Sequence, residues 1–378
     1  MNSLRFEREP AGSFYRVAKE RVDEYFRASG KSRQAGPLLA AKAALLVSLL
    51  AGSYTAILLQ VWGPWSLLPL GLVFGFASLL LAINVGHDAS HRVVARSPAV
   101  NHAIQRLCFV LVGVDGYLWR LRHIKSHHLF PNVNGSDTDI DENPFVRLSP
   151  NQPWRWHFQA QHLYAPLAYL FAALHTTVWG DFVYLSKRRL ANMTDITHPP
   201  HEYVLFGVCK VVHFAVMLVV PLAVLDLPWW QVVFGFLVVN GCTSFLFVVL
   251  LIGTHFADLA EFPEPAADGS VGRTWADHNL ATACDWSPHN WAAHFVSGGS
   301  NAHASHHLFP RVCHTHYPAI ARIIEATAAE FGVRYNAVSL WGMVKSHFRL
   351  LYQLGRRPVP TGVGVPTPNQ ALQQTAGA

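Results

Sequence analysis

Three histidine clusters dominate the chemistry this chain can offer: His87-Asp-Ala-Ser-His91, His123-Ile-Lys-Ser-His127-His128 and His303-Ala-Ser-His306-His307. Neutral imidazole is the commonest protein metal ligand. Residues three or four apart share a helix face. Each cluster can therefore offer two rings to one ion, as in the helical HExxH site. Adjacent residues point about 100° apart on a helix, so His127 and His128 can serve two metals. A ninth candidate, His255, directly follows an apolar stretch. A core built of unpaired rings would be unfavourable, because each desolvated polar group costs roughly 1–3 kcal/mol. Structural zinc sites close with four ligands, so nine imidazoles suit two metals. Zn, Cu, Fe and Ni all accept imidazole, and the ligands alone do not choose among them.

The isolated histidines (His102, His157, His162, His175, His198, His201, His213, His278, His314, His316 and His347) read as packed or surface residues. His289 and His294 fit either role. The five cysteines, Cys108, Cys209, Cys242, Cys284 and Cys313, are too widely spaced for a CxxC site and outline no disulfide framework.

The elements that must position these rings are membrane helices. Of 378 residues, 51% are hydrophobic and only 14% charged, and mean hydropathy is +0.21. Soluble domains carry about a quarter charged residues. A disordered chain, a coiled coil and a nucleic-acid-binding arm are excluded, so no nucleic-acid partner is expected. Four apolar stretches, 43–62, 66–86, 204–225 and 230–253, reach the about 20 residues needed to cross a bilayer. They form two hairpins, with Trp in each short turn, as at a membrane interface. Neither turn contains Lys or Arg. Of 29 basic residues, 9 fall in 1–42, 11 in 87–203 and 8 in 254–378. The positive-inside rule then places both termini and the middle segment in the cytoplasm. The last basic residue, Lys210, is expected to snorkel from a span end.

The expected fold is all-α: four spans in two hairpins under a cytoplasmic helical cap that carries the histidine clusters. His87 and His255 follow the second and fourth spans, so all nine rings can meet in one layer. Residues 1–36 form a cytoplasmic N-terminal segment without a signal peptide, with 15–26 an amphipathic helix on the membrane surface. Residues 37–350 form the membrane domain. The Pro-, Gly-, Thr- and Gln-rich tail within 351–378 is expected to be disordered. Segment 107–119 is too short to span. Segment 164–185, interrupted by Asp181, reads as an interfacial or partly buried helix, because a fifth span would separate the clusters.

The order HxxxH, HxxxHH, HxxHH on two hairpins resembles the membrane fatty acid desaturase family. Asn84-Val-Gly-His-Asp-Ala-Ser-His91 is similar to its first box. Tyr117-Leu-Trp-Arg-Leu-Arg-His-Ile-Lys-Ser-His-His128, with Asn132 and Asp137-Thr-Asp-Ile, is similar to its second. Ser297-Gly-Gly-Ser-Asn-Ala-His-Ala-Ser-His-His-Leu-Phe-Pro310, with Cys313-His-Thr-His-Tyr-Pro318, is similar to its third. Arg147-Leu-Ser-Pro and His162-Leu-Tyr-Ala-Pro166 resemble the bacterial linoleoyl-CoA or front-end-like branch. The likeness runs from about residue 35 to 350. The third box opens on His303, where front-end members usually carry Gln.

The resemblance implies a non-haem di-iron centre held by His87, His91, His123, His127, His128, His255, His303, His306 and His307. It implies an O2-dependent desaturase of the inner bacterial membrane, with a cytoplasmic site acting on an acyl-CoA, acyl-carrier-protein or acyl-lipid substrate. An apolar tunnel would hold the chain in register and exclude water. Asp88, Asp137, Asp139, Asp141 and His294 are candidates to orient the ligands. Arg120, Arg122 and Lys125 surround the second box, placed to meet substrate phosphates or anionic lipid. The chain carries no His-Pro-Gly-Gly haem motif, so electrons are expected from a separate donor of ferredoxin or cytochrome b5 type. Acetylenases and hydroxylases share the scaffold. A non-enzymatic metal protein or transporter is the distant alternative, but a transporter places ligands near the bilayer midplane, and the four apolar stretches hold one histidine, His213.

Overall fold

The computed structural model describes residues 4–141 and 144–357. The chain is mostly helical. Helix α1 (Phe14–Ser29) starts on Ser13, whose side chain accepts from the Arg16 N–H, and stops at Gly30 in the left-handed region. Among the described residues, four helices are long and apolar enough to cross a membrane: α2 (Pro37–Leu58), α3 (Pro64–Ser90), and two later ones at Pro200–Val224 and Trp229–Thr254. They bracket the expected stretches, but α2 begins at Pro37 and ends at Leu58. α3 runs past Gly86 to include His87. Proline at the first positions of α2 fits there because its missing N–H would be unbonded anyway.

Between α3 and the third long helix lie α4 (Pro98–Val110), α5 (Gly116–Arg122) and α6 (Gln161–His175). α6 continues without a break through Thr176–Gly180 and Asp181–Ser186. The spans Pro200–Val224 and Trp229–Thr254 are α7 and α8. The C-terminal third supplies α9 (Trp275–Ala281), α10 (Trp291–Ser297), α11 (His303–Leu308), α12 (Tyr317–Phe331) and α13 (Leu340–Gly355).

α2 packs along α3, α3 along α8, and α6 along α8. The Ser244 hydroxyl of α8 sits between the Tyr169 carbonyl and the Ala173 N–H of α6. α6 is thus partly buried, as expected, and its outer face is apolar and exposed. α1 differs from expectation. Its apolar face, Phe14, Ala18, Val22 and Phe26, is covered by Leu308, Ile320, Ile324 and Ala328 of α11 and α12. Protein, not lipid, takes that stripe.

Two small sheets depart from an all-helical fold. β1 (Arg5–Glu7) pairs in parallel with β2 (Ser270–Thr274), and β3 (Asp285–Trp286) with β4 (Ala337–Val338). Lys210 also departs from expectation. It does not snorkel but donates to Asp181 and to the Gly113 carbonyl, both at 2.7 Å. Residues 351–355 belong to α13, with Leu351 and Leu354 buried. The tail beyond 357 lies outside the described residues.

Candidate metal centre

The last turn of α3 slips into π-helical register over Ala82–Gly86, and the His87 N–H donates to the Ala82 carbonyl. Such turns recur at functional sites because they re-aim the residues that follow. Gly86 lets α4 approach at this point; a Cβ there would stand 2.8 Å from the Cys108 Cβ. His87 and His91 emerge beyond the bulge.

α5 ends in a second π turn, His123–His127, with the His128 N–H bonded to the His123 carbonyl at 2.9 Å. In this register residues five apart align. His123 and His128 therefore meet, Nε2 to Nε2 at 3.0 Å, and His127 turns away. The simple α-helical expectation pairs His123 with His127; the π turn separates them. On α11 the same division occurs. His303 and His307, four apart, lie in one group, and His306 in the other. Gly298, at φ 61°, ends α10 where a Cβ would stand 2.5 Å from the Ile83 carbonyl, so the third box closes directly onto α3.

The result is two adjoining groups. Ring nitrogens of His87, His91, His123 and His306 lie within 4.8 Å of one another, as do those of His127, His255, His303 and His307. His128 lies between, near His306 and His307. All nine candidates converge, although they come from four separate parts of the chain.

The surroundings set which nitrogen faces inward. His255 Nδ1 donates to the Thr282 carbonyl at 2.8 Å. His307 Nδ1 donates to Asn279 Oδ1 at 2.8 Å, and the Asn279 amide nitrogen is committed to the Trp275 carbonyl. In neutral rings both Nε2 atoms then carry lone pairs, yet they face each other at 3.0 Å. His303 Nε2 lies 2.8 Å from the same His255 nitrogen. A cation between them would relieve the repulsion of lone pairs this close. A proton is disfavoured: burial, followed by neighbouring rings, pushes His255 down to about 3 and holds His303 and His307 well below the ordinary range. Burial also lowers His91 to about 3 and His123, His128 and His306 strongly. The donor set therefore fits metal ions of imidazole preference.

His127 is the exception. Burial acts to lower it, but Asp137 and Asp139 overturn that effect and lift it to about 9. Its Nδ1 faces Asp137 at 3.2 Å and Asp139 at 3.5 Å. A carboxylate holding the outer nitrogen fixes the tautomer that offers Nε2 to a metal and raises its basicity.

The match to known proteins is extensive. The model of the family described as "Fatty acid desaturase" matches residues 62–339.

This chain belongs to the fatty acid desaturase family.

It is 31% identical to an acyl-lipid (8-3)-desaturase of Physcomitrium patens over 90% of this chain and 72% of that one. It is 29% identical to an sn-1 linoleoyl-lipid 6-desaturase of Arthrospira platensis, covering 91% and 93%. A protein of the same description from Synechocystis sp. is 28% identical, covering 91% and 96%. The chain is a membrane desaturase, an oxidoreductase that introduces a double bond into a fatty acyl chain.

The desaturase's outer candidates fall in different places. Asp88 accepts from the ring and the backbone of His314, at 2.9 and 3.2 Å, beside His87. Asp141 accepts from the Gly135 N–H. His294 engages Asn301 and the His314 carbonyl through its two ring nitrogens and stays outside both groups. His289 pairs with Glu325 at the surface. Arg120 donates to Gln105, Arg122 lies over the Tyr184 ring, and Lys125 is exposed.

Sequence reasoning did not assign roles to several supporting groups. Asn132, buried and at φ 61°, donates through its amide to the His255 and Glu261 carbonyls, and through its N–H to Asp137. It stands behind two histidines of the second group, His127 through Asp137 and His255 through its carbonyl. Asn279 and Thr282 orient His307 and His255. Asp285 accepts from Ala304 N–H at the start of α11. Trp119 stacks on His123 at 4.2 Å. Asn132 was visible as a motif flank; the others lie in segments with no distinguishing spacing.

Proposed function

We propose that the two histidine groups hold two iron ions, one on His87, His91, His123 and His306 and one on His127, His255, His303 and His307, with His128 between them. The observation that carries this reading is the 3.0 Å approach of the His255 and His307 Nε2 atoms, each ring being tied outward through Nδ1. When bound, the irons supply O2 activation and hydrogen removal from two neighbouring unactivated carbons, with electrons from a separate donor protein.

The chain's own residues have distinct tasks. Asp137, Asn279 and the Thr282 carbonyl hold the outer ring nitrogens, so Nε2 atoms point inward without rearrangement. Trp119 and the close packing of α11 keep water from the layer, which limits side reactions of the oxidant. Charge asymmetry supports a cytoplasmic site, two hairpins and, for a bacterial chain, the inner membrane. We read residues 37–350 as one membrane domain. The relatives' descriptions support an acyl chain carried on a membrane lipid.

The test is expression in a host with a simple lipid profile, feeding of defined fatty acids, and location of new double bonds by mass spectrometry. Purified protein should carry about two irons per chain. Zinc in their place with no oxygen consumption, or iron-loaded protein inert toward every lipid with a competent reductant, would refute the proposal.

A further inference from the structure

Helix α13 has two unlike faces. Met343, His347, Leu350, Leu351 and Leu354 are buried. The opposite face carries Trp341, Lys345, Arg349 and Tyr352, with Arg356 at the helix end. Steps of three or four residues set these in one stripe along the helix. Trp341 is 64% exposed and Tyr352 49%, and Lys345, Arg349 and Arg356 are exposed as well. Basic and aromatic side chains pair along the stripe. The Lys345 ammonium lies 5.3 Å from the Trp341 ring centre, and the Arg356 guanidinium carbon 5.3 Å from that of Tyr352. Two features decide what this stripe meets.

The first is its level. Leu340 and Met343 share an apolar cluster with Leu246 and Leu250 of α8. Met343 also packs against Gly253, where a Cβ would collide with it. The start of α13 therefore lies beside the last turns of a membrane-spanning helix. At the other end the Tyr352 ring meets His162 edge-on, 5.1 Å between centres. His162 adjoins Leu163 and Leu167, apolar residues of α6 that are 73% and 61% exposed. Both ends of the stripe thus border apolar surface that suits lipid.

The second is charge. Lys345, Arg349, Arg356 and Arg357 are the only Lys, Arg, Asp or Glu residues from 340 to 378. Among the described residues, the ion pair on the stripe is Arg349 with Asp258, at 3.7 Å and with Arg349 68% exposed. Trp and Tyr favour the level where acyl chains meet headgroups, and Lys and Arg there are drawn to anionic lipid. An acidic protein surface would answer the charges but not the two rings set at the lipid boundary.

We propose that the outer stripe of α13 lies in the headgroup layer of the bilayer and binds anionic phospholipid. Trp341 and Tyr352 sit at the acyl boundary, and Lys345, Arg349 and Arg356 engage the phosphates. The lipids held here are bound by charge and are not turned over. Their binding presses α13 onto Gly253 and Phe256, whose carbonyl lies 2.6 Å from His347 Nδ1. Those two residues flank His255, so bound lipid should stabilise the folded protein.

The experiment uses full-length protein in nanodiscs of phosphatidylcholine with a rising share of phosphatidylglycerol. Tm should rise with phosphatidylglycerol, and salt should shrink the rise. Lipids retained through mild detergent extraction, counted by mass spectrometry, should favour phosphatidylglycerol over phosphatidylcholine. Lys345→Glu, Arg349→Glu and Arg356→Glu together should cut that preference at least about tenfold, given about fivefold for each basic residue near an anionic surface. The corresponding triple Gln variant, which adds no repulsion, should lose most of the preference and keep the fold. Brominated phosphatidylglycerol should quench tryptophan fluorescence, and Trp341→Phe should remove a salt-sensitive part of that quenching. A Tm indifferent to phosphatidylglycerol, or wild-type lipid preference in the Gln variant, would overturn the proposal. So would a loss seen only in reduction by an acidic electron-donor protein, which would assign the stripe to that partner instead.

Discussion

His128 Nε2 lies 2.9 Å from His306 Nε2, although 178 residues separate them in the chain. His128 also approaches His123 at 3.0 Å and belongs with His306 and His307, so it touches both histidine groups. Its replacement should therefore be felt at both metals. His128→Ala is expected to lower bound iron at both sites and to cut desaturation by at least about 100-fold, more than the 10–100-fold typical of an outer-sphere change. His91→Ala should deplete mainly the first group. Iron analysis together with Mössbauer spectra of the two variants checks this.

Asn132 supports His127 and His255 from outside through Asp137 and a backbone carbonyl. Asn132→Gly keeps the φ 61° backbone and the N–H but removes the amide. It should weaken iron at the second group by about 10–100-fold while leaving the fold intact. Chelator competition on purified protein reads the loss; unchanged retention of both irons would argue against a positioning role.

His303 occupies the place at which front-end relatives usually have Gln. Its Nε2 lies within 2.8 Å of His255, and an amide oxygen can serve a metal at the same place. His303→Gln should retain iron and more than about a tenth of the activity, whereas His307→Gln, which severs the contact to Asn279, should lose more than about 100-fold. Product assays on both variants in one host decide the matter.

Lys210 and Asp181 form a buried pair, their side chains 8% and 0% exposed. Removing one partner leaves the other charged and desolvated. Lys210→Met should destabilise the protein by about 3–5 kcal/mol, and Lys210→Met with Asp181→Asn should recover much of it. Thermal unfolding of the two single variants and the double variant gives the coupling.

His347 is held between the Tyr169 hydroxyl and the Phe256 carbonyl, both at 2.6 Å, and burial lowers it to about 4. The unfolded chain binds this proton at about 6.5. Between those values the unfolded state holds more protons, so stability falls as pH drops from about 6.5 to 4 and is complete above 6.5. His347→Gln should flatten that acid limb in a Tm-against-pH series; an identical slope would remove His347 as its source.

Much of the site was legible because its signals are local. The spans announce themselves by composition, and the histidines by spacing on short helical segments. The clusters' meeting followed from the span ends, since His87 and His255 had to lie at one level. The α1 stripe was equally plain in sequence, but its covering was not: an apolar helix face looks the same whether lipid or α12 lies against it. Lys210 was misplaced for a related reason. Its partner Asp181 is 29 residues away, on a segment whose path the sequence did not reveal.

By itself, the sequence determined the family, the number of long apolar helices and which nine rings are available, because hydrophobic length and residue type are properties of short windows. The tertiary structure alone decided how those rings divide. A π turn at His123–His127 changes which neighbours align, so His123 and His127, four apart, face different groups. It also decided which nitrogen points inward, because the carbonyl of Thr282 and the amide of Asn279 reach His255 and His307 only after distant segments have packed. Register slips and long-range hydrogen bonds follow from the folded backbone, and no local pattern of side chains encodes them.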